Sequence, residues 1–110
     1  MKSAFKLTAN PVFRHMVPVT VPVDGGTEVQ ELAVTYRVFP TEVLARMEAE
    51  LSAVDLALAI VREIGGVVDS GGEALPMNDD LQRRVLGLPF VTLAVIKHYR
   101  EAMAGAAAKN

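Results

Sequence analysis

Few side chains in this sequence are equipped for chemistry, and they do not form a recognisable set. The two imidazoles are His15 and His98. They are far apart in sequence and belong to no pair with metal-ligand spacing. His15 falls on the apolar phase of an alternating run, and His98 falls at the margin of a helical stripe. Ser70 lies beside Asp69 and before Gly71-Gly72. A nucleophilic serine needs a histidine base, a buried carboxylate to orient that base, and an oxyanion hole. Neither histidine is placed to serve it, so an ordinary glycine-rich loop is the simpler reading. Asp79-Asp80 lacks the alternating oxygen ligands and closing glutamate of a calcium loop, and helix capping accounts for it. No glycine pattern that cradles phosphate is present. We therefore expect no catalytic, metal or cofactor-binding residue, and no enzyme activity.

Composition narrows the partners. The 110 residues suit one domain and include no cysteine, which excludes disulfides and thiolate zinc sites. Hydrophobic residues make up 51% and charged residues 22%, a globular balance. No apolar run approaches the ~20 residues of a membrane span, nor is there a signal-peptide core. A cytoplasmic protein with no membrane partner is expected. The net charge of −2 is too small to draw the chain to a polyanion. Arg83-Arg84 is an isolated basic doublet, and the aromatic residues sit at core-like places, so a nucleic-acid partner is not expected. Acidic residues gather in 41–80 and basic ones in 81–110. Such halves either attract each other or form two solvated faces.

The periodicity defines the elements that would position these groups. Residues 1–11 form a lead-in ending at Asn10-Pro11. Phe13, His15, Val17, Val19, Val21 and Val23 then take every second place, a strand signal. Pro18 and Pro22 restrict this strand to a sheet edge or to bulges. Asp24-Gly25-Gly26-Thr27 is a hairpin turn, followed by Leu32, Val34, Tyr36 and Val38 on one face. The pair makes a β-hairpin over 12–39. Helical spacing predicts helix over 41–64, with Thr41 as N-cap and Ser52 either capping a second helix or lying within one long one. A glycine-rich, mobile loop is expected over 65–77. Helices capped at Asn78 or Asp79 and opened by Pro89 fill 78–104, and 105–110 is a fraying tail. The fold class is α+β: an N-terminal β-hairpin or small antiparallel sheet, then three to four α-helices.

Two helices carry more apolar surface than one stripe needs. Leu56 and Ile60 lie away from the Val54/Leu58/Val61 stripe, and Phe90 and Leu93 lie opposite the Val95/Tyr99/Met103 stripe. Either the helices are sandwiched in the core, or Leu56, Ile60, Phe90 and Leu93 form a surface for a partner or a second copy of the chain.

Taken in order, these segments resemble the tail assembly chaperones of long-tailed bacteriophages and their prophages. The opening FKLTANPVF is similar to the family's start, through Phe5, Leu7, Asn10, Pro11 and Phe13. The valine-and-proline strand, the glycine turn, the strand through Tyr36 and ALAIVREIGG look similar too. The clearest stretch is LGLPFVTLAVIKHYREAMAGA, where members have an aromatic-Pro step and a helix with a central aromatic residue. Ile64 stands where members have an aromatic residue, and the glycine-rich loop is longer than theirs. The resemblance implies a non-enzymatic role. Such chaperones bind the helical tape-measure protein in the bacterial cytoplasm until the tube, built of major tail protein, polymerises, and some families add a frameshifted longer form. Two other readings stay open: a minor tail or tail-completion protein retained in the virion, and a small DNA-binding regulator.

Overall fold

A computed structural model describes residues 2–105. The elements run β1 (Val12–Val23), β2 (Gly26–Arg37), α1 (Thr41–Glu50), α2 (Ala53–Ile60), β3 (Val61–Gly65), α3 (Asp79–Leu86) and α4 (Pro89–Met103). This is an α+β fold: a three-stranded antiparallel sheet in the order β1-β2-β3, with four helices. All of the expected tail except Gly105 lies outside the described residues.

The hairpin follows from its alternation. Val17 pairs with Leu32, His15 with Val34 and Phe13 with Tyr36, so these side chains share the face turned to the helices. Gly25, with φ of +80°, supplies the positive angle of the turn. Val17, Val34 and Tyr36 are wholly buried, together with Ile60, Val61, Leu86, Val95 and Tyr99 from the other elements. Two tyrosines fasten these layers together. The Tyr36 hydroxyl donates to the Val95 carbonyl at 2.8 Å, and that of Tyr99 to the Arg37 carbonyl at 2.9 Å. The Arg37 guanidinium donates to the carbonyls of Ala59 and Val61, tying β2 to the end of α2.

The helical stretch expected over 41–64 divides into three elements. Leu51 takes extended geometry and ends α1, and the Ser52 hydroxyl then accepts from the Asp55 N–H at 3.1 Å to cap α2. Pro40 rather than Thr41 is the N-cap of α1. The last four residues of that stretch and the first of the loop correct the prediction, because Val61–Gly65 is β3, not helix. Tyr36 pairs with Val61, but Thr35 pairs with Glu63, so Arg62 is an extra residue in a bulge. The bulge brings Val61 and Ile64, three residues apart, onto one face. That spacing imitates a helical stripe.

The glycine-rich loop has bonds of its own. The Asp69 carboxylate accepts from the N–H groups of Gly71 and Glu73, and Val68 bridges Ala74. Asn78 caps α3 by accepting from the Leu81 N–H at 2.9 Å. At the α3–α4 corner, the buried Thr92 hydroxyl donates towards the Leu86 and Leu88 carbonyls.

Candidate functional site

The fold brings the two histidines together. His15 Nδ1 lies 2.9 Å from His98 Nε2, although 83 residues separate them in sequence. β1 presents His15 on its helix-facing side, and α4 crosses that side, so both rings enter the aromatic cluster with Phe13, Tyr36 and Tyr99. Burial, then the neighbouring His15, holds His98 below the ordinary histidine value, with Glu101 pulling the other way. Burial likewise raises the Tyr36 and Tyr99 hydroxyls above their ordinary range. The sequence held one weak sign of this meeting: His15 shares the phase of Val17 and Val19, and His98 adjoins Tyr99. No group of three or more His, Cys, Asp or Glu side chains able to hold a metal occurs among the described residues. The Asp69 carboxylate is engaged with main-chain N–H groups of its own loop, while the histidines bond each other. Ser70 is thus not joined to a base.

The four apolar residues singled out in the helices separate into two pairs. Leu56 and Ile60 are buried, at 5% and 0% exposure, and belong to the core. This corrects the expectation that they are partner-facing. α2 turns Leu56, Ala57 and Ile60 inward and leaves Val54 exposed, because its inner side meets α4 and the start of β3. Sandwiching is therefore the right reading for α2. On α4 the outcome differs. Val91, Val95, Ile96 and Tyr99 face the core, Phe90 is half-buried, and Leu93 is 66% exposed.

Phe90 and Leu93 line a groove of about 340 Å³ between α4 and the outer edge of the sheet, with Pro18 and Thr20 of β1 opposite and Ala94 and Lys97 along its side. Its β1 wall was not read from the sequence, since no periodicity reveals which helix lies beside which edge. Chemically the groove offers apolar contact with two charged side chains, Lys97 and Glu101, and the imidazole of His98, which is bonded to His15. The acidic and basic halves meet once among the described residues, where Arg100 Nε approaches Glu48 Oε2 at 3.7 Å on the surface. Such an exposed pair contributes ~0–1 kcal/mol. No described helix is long and apolar enough to cross a membrane. No family model, characterised protein or solved structure matches this chain.

Proposed function

We propose that this chain is a non-enzymatic tail assembly chaperone of a long-tailed phage or prophage, acting in the bacterial cytoplasm on the tape-measure protein. One observation carries the reading: Leu93 stands mostly in solvent beside Phe90, at an apolar groove that the chain's own core does not fill. An amphipathic helix laid along such a groove supplies the complementary apolar stripe. The order of segments that resembles the chaperone family supports the same reading. The groove, now limited to Phe90 and Leu93 with their β1 neighbours, is where we place the tape-measure segment.

Co-expression with the very long gene expected downstream is the test. The tape-measure product should be soluble and co-purify with this chain, and purified particles should lack the chain by mass spectrometry. Retention in the particle would instead make it a structural tail component. A tape-measure protein equally soluble without it would remove the chaperone role.

A further inference from the structure

The two ends of the hairpin leave two features unpartnered, and they complement each other. The first is an open strand edge. In an antiparallel ladder, pairs that exchange two main-chain hydrogen bonds alternate with pairs that exchange none. Proline cannot donate, so Pro18 and Pro22 must sit in pairs of the second kind. Their partners are Glu31 and Thr27. Hence Thr27, Val29 and Glu31 turn their N–H and C=O groups away from β1. The Val38 N–H agrees in phase, since it donates back to the Pro11 carbonyl at 3.1 Å. The next residues in the open phase, Ala33 and Thr35, are covered by Gly65 and Glu63 of β3. Beyond them β3 stops, because Gly66, with φ of +74°, turns the chain off the edge. Thr27–Glu31 therefore has no strand beside it among the described residues. Along its helix-facing side runs a groove of about 590 Å³, with Val19, Val21, Val67 and Phe90 as apolar walls and Glu28 and Asp69 as acidic ones. No lysine or arginine lines it.

The second feature is the segment before β1. Phe5 and Leu7 are 92% and 94% exposed. Ser3, Phe5, Leu7 and Ala9 alternate with Lys2, Ala4, Lys6 and Thr8. In extended form this segment puts two large apolar side chains on one face and two lysines on the other.

We propose that residues 2–9 of one copy add as a strand to the open edge of β2 at Thr27–Glu31 in a second copy. Phe5 and Leu7 enter the apolar groove, and Lys6 lies on the outer face beside Glu31. A helix cannot answer the open main-chain groups, because its own are already bonded; an extended segment can. The charges decide between two ways of self-pairing. Pairing β2 with β2 would gather Glu28 and Glu31 of both copies at one seam, whereas the arm brings lysines to them. Geometry excludes the chain's own arm. Pro18, opposite Glu31, lies six residues from Val12, about 20 Å along the strand, and the open edge of β2 lies two strand spacings, about 10 Å, to its side, a span of about 22 Å. Lys6 precedes Val12 by six residues, at most about 21 Å of chain. Reciprocal exchange between two copies closes with two-fold symmetry. The two grooves share Phe90 as a wall, but Phe5 and Leu7 on one side and Leu93 on the other let each association be tested by its own variants.

Analytical ultracentrifugation of the full-length chain over a wide concentration range tests it. The wild type should dimerise. The Phe5→Ser/Leu7→Ser variant, altered outside the core, should associate at least about a hundredfold more weakly. Val29→Pro removes an N–H that bonds nothing in the monomer and should also give monomers. Lys6→Glu and Glu31→Lys should each weaken the dimer and together restore it. Amide exchange at Thr27, Val29 and Glu31 should slow as the wild type is concentrated. A wild type that stays monomeric, or a dimer that survives the Phe5→Ser/Leu7→Ser change, overturns the proposal. So does a dimer in which those three amides exchange freely, since its interface would lie elsewhere.

Discussion

The contact between His15 and His98 is an N–H···N bond, so one ring donates and the other accepts. A proton on the accepting nitrogen would set two donors face to face. Burial, followed by His15 itself, keeps His98 below the ordinary value of about 6.5. The sign of the stability effect follows. A folded-state value below the unfolded one means that the unfolded chain binds the proton more readily. The contribution of His98 is thus complete above about pH 6.5 and is lost as pH falls from there through its depressed folded value. We expect the melting temperature of the wild type to fall more than that of His98→Gln between about pH 7 and about pH 5. Carboxylate titration is common to both proteins and cancels in the comparison. Parallel melting curves would mean that the pair carries no pH sensitivity. Residue spacing gave only the weak sign that His15 and His98 lie on or beside apolar faces. Periodicity gives the face a side chain occupies, but not which residue of a distant element meets it there.

At the scale of elements, legibility depended on whether one spacing admitted two backbones. The hairpin was read correctly because Val17, Val19, Leu32, Val34 and Tyr36 alternate without interruption, and all five are buried. β3 was read as helix because the bulge at Arg62 converts a strand's period of two into a local spacing of three, between Val61 and Ile64. The inner face of α2 was inverted for a related reason. Its eight residues, AVDLALAI, are apolar almost all round, so the stripe has no polar back to orient it. The sheet and α4 choose the face instead. Leu32 and Leu58 give a measurable contrast. Leu32 is 7% exposed, whereas Leu58 is only partly buried at the margin of the core. Leu32→Ala should cost about 2–5 kcal/mol, measured by denaturant unfolding, and Leu58→Ala clearly less. Equal losses would place both side chains at the same depth and undo the face assigned to α2.

The whole molecule divides its apolar surface between one core and two outward-facing regions. Its radius of gyration, 15.0 Å, exceeds the roughly 13 Å of a compact chain this long. The segment before β1 and the hairpin tip, residues 2–10 and 22–31, are exposed throughout. The candidate surface was half legible in the sequence. Surplus apolar residues were visible on two helices, but only the tertiary arrangement shows that α2 spends its surplus on the core while α4 does not. Val91, Val95 and Tyr99 fix α4 from inside, so Leu93 makes little difference to folding. Leu93→Ser should therefore leave thermal stability near that of the wild type and sharply reduce co-purification of the tape-measure protein. Phe90→Ser, at a half-buried position, should lower both. Ile60→Ser buries a hydroxyl in a fully enclosed site and should unfold much of the protein, whose total stability is expected to be ~5–15 kcal/mol. Thermal melts paired with co-purification separate these cases, because a binding residue and a core residue move different measurements. If Leu93→Ser destabilised the chain as much as Ile60→Ser, α4 would be enclosed on both sides and its outer face would not be a binding surface. If Leu93→Ser left both measurements unchanged, the groove beside β1 would not be where the partner sits.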